Sequence, residues 1–245
     1  MKSYRTIRGM RDILPTILAQ RRFVEDQVRQ CFTIYGYQEI ETPTIESFEL
    51  IAAKAGDEIR HRMYSFEDLS GRKVALRPEM TPSIARIVAS KLRTAIKPLR
   101  LGYIANCFRY DNPQRGRYRE FMQAGFELFG SNRAIADAEI ISINDDLMRR
   151  LGFTNFFIKI GSVAILRAVL SDEGLNEAAQ NTIMGLIDKQ RKTQVLDYLT
   201  KLKVSDDCLM IIKQLFSLKG TDCKEIYTSR YPGRTYDPDK WHYAG

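Results

Sequence analysis

The sequence is poor in histidine, in paired cysteine and in long apolar runs. Its 245 residues hold two histidines, His61 and His242, too few for a His-based zinc site, so no metal held by protein side chains is expected. Four cysteines, Cys31, Cys107, Cys208 and Cys223, lie far apart and form no CxxC pair. That pattern reads as thiols in a reducing, cytoplasmic compartment rather than a disulfide framework. No run approaches the roughly 20 apolar residues of a membrane span, and the opening MKSYRTIRGMRDILP lacks the apolar stretch of a secretory signal. GxxxxGK[ST] and a strand-linked GxGxxG are both missing, which removes the usual phosphate loops. Repeats and low-complexity tracts are missing too.

What is present suits a soluble globular protein: 44% hydrophobic and 28% charged residues. The length supports one large domain, or one domain with a small appendage. The net charge of +8 is uneven: residues 1–130 carry 22 Lys and Arg against 15 Asp and Glu, and residues 131–245 carry 16 against 15. A basic excess in the first half suits nucleic acid or nucleotide phosphates.

Periodicity predicts a helix over 16–35, with Ile17, Val24, Val28, Cys31 and Tyr35 on one stripe and Gly36 ending it. A short strand over 37–43, a helix over 46–54 and a hairpin of 63–66 with 73–77 come next. A helix over 81–95 carries Pro82 in its first turn. A long hairpin of 99–110 with 119–130, a helix over 134–151, a strand over 156–160 and a helix over 163–170 complete the first part. Beyond Ser171 the pattern is helical, over 176–203 and 206–218, with no strand between. The final stretch, 219–245, shows no periodicity. Helices interleaved with hairpins point to an α+β fold with an antiparallel sheet. The expected division is 1–170, a helical appendage over 171–218, and an irregular tail over 219–245.

The most informative segment is FRYDNPQRGRYREFMQAGFELFG, Phe108 to Gly130. Two apolar runs flank a turn with Asp111, Asn112, Pro113 and Gly116, and Arg109, Arg115, Arg117 and Arg119 sit in or beside it. Guanidiniums this close repel one another unless an anion or carboxylates compensate, and the planar fork of Arg suits phosphate and carboxylate. The pattern reads as a hairpin built to hold a polyphosphate. In its second strand Met122, Ala124, Phe126 and Leu128 form a core face, while Phe121, Gln123, Gly125 and Glu127 present an aromatic, an amide, a gap and a carboxylate. A half-exposed antiparallel sheet alternates in the same way, so the second face is either a ligand floor or a solvated surface.

Three further segments join this hairpin: RGMRDILP (Arg8 to Pro15), GYQEIETPTIE (Gly36 to Glu46) and MYSFEDLSGRKVALRPEMTPSIAR (Met63 to Arg86). Together they resemble class II aminoacyl-tRNA synthetases, and among these the histidyl-tRNA synthetase family, over about residues 1–170. The resemblance implies a class II antiparallel sheet flanked by helices, with residues 171–218 as a small helical insertion. The segment ending at Pro43 resembles motif 1, which implies a homodimer, and the arginine hairpin resembles motif 2, which implies ATP binding. LRPEMT (Leu76 to Thr81) and QAGFELFG (Gln123 to Gly130) resemble the histidine-binding segments.

By this likeness Arg109 would bridge the α-phosphate of ATP and the carboxylate of L-histidine, as the central catalytic cation. Arg117 would reach the terminal phosphates and Phe121 would stack on adenine. Asp111, standing where the family usually has Glu, would face the adenine amino group. Glu79 and Thr81 would hold the histidine ammonium, Gln123 and Glu127 would line the amino-acid pocket, Mg2+ would bridge the phosphates, and tRNA-His would receive the product. Taken without the resemblance, Glu79 after Pro78 also suits a helix start, Arg115 and Arg119 also suit a charged surface, and Phe121 also suits a core.

The family's later segments have no recognisable counterpart in this sequence. An RGxxYYTG-like segment with a second catalytic arginine, a glycine-rich motif 3 and an anticodon-binding domain are not found in this sequence. The run Tyr231 to Asp237 has only a faint likeness to the family's GGRYD. Removing a preorganised charge from a transition state costs about 3–4 kcal/mol, so this chain alone is expected to be weak or inactive. Three readings are open: the N-terminal catalytic portion of a histidine–tRNA ligase, the synthetase-like regulatory subunit of ATP phosphoribosyltransferase, or a nonenzymatic dimerising fragment.

Overall fold

The computed structural model describes residues 4–53, 60–114 and 116–217. Lys54, Arg115, Cys223, His242 and the run Tyr231 to Asp237 therefore lie outside the described residues. Two compact units divide between Ile158 and Lys159.

The first unit is built on a three-stranded sheet in the order β1 (Gln38–Glu39), β5 (Leu99–Phe108), β6 (Glu120–Phe129). Helix α1 (Pro15–Tyr35) starts with a proline, whose missing N–H costs nothing in a first turn. It stops at Gly36, whose φ of 71° lies in the left-handed region, and the next N–H, of Tyr37, donates to Phe32 O at 2.8 Å. The chain then enters β1, parallel to β5, which pairs antiparallel with β6 from Leu99 opposite Phe129 to Phe108 opposite Glu120. Both sheet faces are covered. On one, α1 and α4 (Ala134–Arg150) bury Val28, Cys31, Phe32, Tyr37 and Ile143, with Phe126 packed alongside. Gly102 belongs here because a Cβ would overlap the Phe32 ring. On the other, α3 (Thr81–Ser90) places Met80 and Ile84 over Leu101, Tyr103, Ala105 and Cys107. Each such fully buried large side chain contributes roughly 1.5–3 kcal/mol.

A second sheet, β2 (Ile45–Ser47), β4 (Lys73–Leu76) and β3 (Ser65–Glu67) in that order, leads into α3. The expected helix over 46–54 begins later, as α2 (Phe48–Ala52), because Ser47 caps it: its Oγ accepts from Leu50 N at 3.3 Å. Glu46 is instead a buried strand residue paired with Arg86 at 2.6 Å. The expected strand over 37–43 is reduced to β1. Helix α3 ends at Ser90 rather than 95, opening through a wider turn closed by Leu92 N–H to Ile87 O at 3.0 Å. The structure assigns no strand to 156–160. Alternation says which faces a strand would bury, but ladder formation depends on the backbone of a neighbour.

The second unit is helical: α5 (Val163–Asp172), α6 (Glu177–Asp188), α7 (Lys192–Lys201) and α8 (Asp206–Ser217). Leu170, Ile183, Val195, Leu199, Cys208 and Ile212 form its core. Asn176 caps α6 by accepting from Ala179 N at 3.0 Å. The expected division after 170 and the contact division after Ile158 differ by α5, whose buried Leu170 belongs to this helical core. Among the described residues no helix is long and apolar enough to cross a membrane.

Candidate functional site

The register of β5 and β6 brings the expected residues onto one face. Directly opposed positions share a face: Leu101 with Glu127, Tyr103 with Gly125, Ala105 with Gln123 and Cys107 with Phe121. The gap at Gly125 is filled from the neighbouring strand. Tyr103 lies across it, and a Cβ on Gly125 would overlap the phenol. The β5 half of this face is core, and Phe121, Gln123 and Glu127 on the β6 half are half-buried. The face is therefore neither a solvated surface nor a bare floor.

The Pro78–Thr81 segment runs along this face and touches it at two points. Thr81 Oγ donates to Glu127 Oε1 at 2.6 Å. Pro78 O accepts from Arg109 Nε at 2.9 Å. Glu79, between them, is half-buried. Burial first, then the charges of Glu127, Cys107 and Glu79, push the Tyr103 phenol up to about 12, so it is neutral at physiological pH. Two carboxylates around one neutral phenol favour a cationic guest. Burial also pushes the Cys107 thiol up to about 11, against the opposing pull of Arg77 and Arg109. Being protonated, it donates to Gln123 Oε1 at 3.3 Å.

Arg109 stands where β5 ends. Besides its bond to Pro78, its main-chain N–H donates to Arg119 O at 2.9 Å, and its guanidinium lies 5.2 Å from the centre of the Phe121 ring. Among the described residues no carboxylate lies within ion-pair distance of Arg109. Its two terminal nitrogens are thus available for an anion.

Asp111 and Arg117 are placed differently from the rest. The Asp111 side chain is 10% exposed, with Oδ1 3.1 Å from Arg62 Nη1 and Oδ2 3.9 Å from Arg117 Nε. The Arg62 contact is an ion pair without hydrogen-bond alignment. Asp111 thus serves as a counter-ion in the turn, and Arg117 projects from it with 59% of its side chain exposed. Arg119 is buried, which removes the surface-charge alternative for it.

Two contributors are not singled out by sequence reasoning. Arg77, 4% exposed, donates from Nη1 to Thr42 O at 2.7 Å and from Nε to Asn106 O at 2.8 Å. It lashes the loop before β2 and strand β5 to the entry of α3. The available signal is an arginine squeezed between an apolar strand and Pro78. Tyr103 is the other, and its signal is a bulky residue facing a glycine across the hairpin. Two shallow cavities, of about 510 and 540 Å³, lie elsewhere, beside Phe23 and Phe153 and on α8. Among the described residues no group of three or more His, Cys, Asp or Glu could hold a metal ion.

The family model described as histidyl-tRNA synthetase matches residues 9–230. The chain belongs to the histidyl-tRNA synthetase family. A histidine–tRNA ligase of Methanocaldococcus jannaschii is 44% identical over 214 residues, which is 87% of this chain and 51% of that protein. The ligase of Archaeoglobus fulgidus is 43% identical over 215 residues, 88% of this chain and 52% of that one. The chain thus spans about half the length of the relatives it matches. Among solved structures, an ATP phosphoribosyltransferase regulatory subunit/histidyl-tRNA synthetase from Bacillus halodurans aligns with a TM-score of 0.81 at 30% identity, covering 94% of this chain and 60% of that one. The histidyl-tRNA synthetase of Nostoc sp. PCC 7120, with a TM-score of 0.74 and 20% identity over 95% of this chain and 54% of that one, shows the same fold. The α+β architecture expected from the sequence is that of this family.

Proposed function

We propose that this chain is the histidine- and ATP-binding portion of a histidine–tRNA ligase. The observation that carries this reading is the polarity of one hairpin face. Glu127, oriented by Thr81, marks one point of it, and Arg109, anchored on Pro78 with two nitrogens unspent, marks another. Histidine presents the matching groups: a carboxylate for Arg109, an imidazole N–H for Glu127 and an ammonium for Glu79, which lies between Pro78 and Thr81.

In this reading Glu79 neutralises the histidine ammonium. Thr81, whose proton is committed to Glu127, offers the ammonium its lone pairs. The second oxygen of Glu127 accepts an imidazole N–H, and Gln123 lines the same pocket. Arg109 then lies between the histidine carboxylate and the α-phosphate of ATP. A carboxylate oxygen attacks the α-phosphorus and pyrophosphate leaves. The fixed cation offsets the repulsion of two anions and stabilises the charge that develops between them. Phe121, already under the Arg109 guanidinium, would stack on adenine, and Arg117 would swing from Asp111 to the terminal phosphates. Asp111 could meet the adenine amino group only by loosening its Arg62 pair. Mg2+ would come with the phosphates of ATP and offset part of their charge. In the second step a ribose hydroxyl of tRNA-His would attack the carbonyl and release AMP.

Calorimetric titration with L-histidine and with MgATP tests this. The chain should bind histidine in preference to other amino acids, and Arg109→Ala should weaken ATP binding by about 1.5–3 kcal/mol. Binding of neither ligand would sink the proposal. The Bacillus halodurans structure also favours a second reading, a regulatory subunit of ATP phosphoribosyltransferase. Copurification with a phosphoribosyltransferase catalytic subunit, with histidine bound and ATP not, would support that one instead.

A further inference from the structure

We propose that Gly9 and Arg119 form a brace through which the N-terminal segment positions Arg109 for its nucleotide; the functional half of this rests on the reading that the hairpin binds ATP. Arg119 is 7% exposed, and no ion pair among the described residues involves it. Its charge is met by main-chain carbonyls and a ring instead: Nε donates to Asp111 O at 3.1 Å, Nη1 donates to Arg8 O at 3.3 Å, and the guanidinium lies 3.7 Å from the centre of the Tyr110 ring. Its main chain is engaged on both sides. The N–H donates to Gly9 O at 2.9 Å, and the carbonyl accepts the N–H of Arg109, also at 2.9 Å. A continuous set of bonds therefore runs from Gly9 through Arg119 to Arg109.

The joint at Gly9 admits no side chain. Its φ is +86°, in the left-handed region, and a Cβ there would lie 2.6 Å from Arg119 Cδ and 2.7 Å from Cγ. Those carbons belong to the middle of a side chain whose far end is bound at two carbonyls, so it has little freedom to yield. Next to the joint, Arg11 stacks on Tyr118 at 3.7 Å, a second grip of the same segment on the hairpin. A buried, planar, two-carbonyl arrangement also needs arginine specifically, because a lysine ammonium is a compact point charge that cannot span both acceptors while stacking. Arg119 is thus a positioning residue that acts through Arg109.

The test uses the full chain with Gly9→Ala and Arg119→Lys. Amide exchange followed by NMR should show the Arg109 and Arg119 N–H groups exchanging at least about tenfold faster in Gly9→Ala, as expected when a local hydrogen bond loosens. MgATP affinity should fall about tenfold or more in both variants, since small misplacements of binding groups carry costs of that order. L-histidine affinity should fall less than that for MgATP, because Thr81 and Glu127, which are not part of the brace, still hold the other end of that ligand. Unchanged amide exchange in Gly9→Ala overturns the brace. Wild-type ATP affinity in Arg119→Lys shows that charge alone matters and overturns it as well. Equal loss of ATP and histidine affinity together with a lowered melting temperature points to general destabilisation and also overturns it. If the wild-type chain binds no ATP, the nucleotide reading fails by itself and the exchange result still judges the brace.

Discussion

At the residue scale, one hydrogen bond decides how the face presents itself. Thr81 Oγ to Glu127 Oε1, at 2.6 Å, leaves Glu127 one oxygen for a guest and Thr81 its lone pairs. Thr81→Val keeps the size and removes that bond. It should lower histidine affinity by about 1–3 kcal/mol while leaving the melting temperature nearly unchanged, because Thr81 is exposed. Calorimetry beside a thermal melt checks both halves, and an unaltered affinity would remove Thr81 from the site. The residues that carry the family resemblance are readable as types: an anion-seeking arginine in a turn, a carboxylate and an amide on one strand face. Their neighbours are not. Arg119 stands in a run of charges that reads as solvated, yet it is buried on two carbonyls and a ring. Asp111 reads as a free ligand group, yet Arg62, far earlier in the chain, already neutralises it. Pattern along a chain carries no information about such distant pairings.

At the element scale, strong periodicity is legible and weak periodicity is not. Helix α1, the β5–β6 hairpin and α4 fall within a residue or two of their expected ends, because a proline start, a left-handed glycine stop or a turn between long apolar runs is a local signal. The strand expected over 156–160, a short apolar run, is not formed. Long-range polar contacts tie the elements to one another. Glu139 on α4 takes a two-pronged bond from Arg100 on β5, at 2.6 and 2.7 Å, and the Tyr37 hydroxyl at 3.0 Å. The bond to Arg100 is the main reason the Glu139 carboxyl is held below its ordinary 4.5. A carboxyl depressed in the folded state adds stability above its unfolded value and loses it as pH falls through the folded value. Stability of the first unit should therefore drop as pH falls below about 4.5. Glu139→Gln should flatten that dependence and cost about 1–3 kcal/mol at neutral pH. Denaturant melts between about pH 3 and about pH 7 would show it, and parallel pH profiles for the two proteins would refute it.

At the scale of the whole molecule, the chain forms two compact units and spans about half the length of its relatives. The hairpin supplies one anchored cation, Arg109 at the end of β5, and one exposed one, Arg117 in the turn. An uncompensated developing charge is costly, about 3–4 kcal/mol for each missing preorganised group. Histidine-dependent pyrophosphate exchange should therefore stay at a trace level for this chain alone. It should rise when the remaining half of a related ligase is supplied in trans. Robust exchange without that addition would show that the described wall, with whatever lies beyond the described residues, suffices. The family is legible from four segments spread over the first 130 residues, since no single one of them specifies this chemistry. The grouping of α5 with the helices after it is not, because an apolar helical stripe does not say which core it joins.

The phenol of Tyr103 lying in the notch of Gly125 has one more consequence. The strand that carries the polar contacts, β6, contributes no side chain at the centre of its own face. The depth available to a guest there is set from β5, by a ring on the opposite strand. Discrimination by chemical type and discrimination by size would therefore be written on different strands, free to diverge separately: exchange of Gln123 or Glu127 would alter which groups are welcome, and exchange of Tyr103 would alter how much room they find.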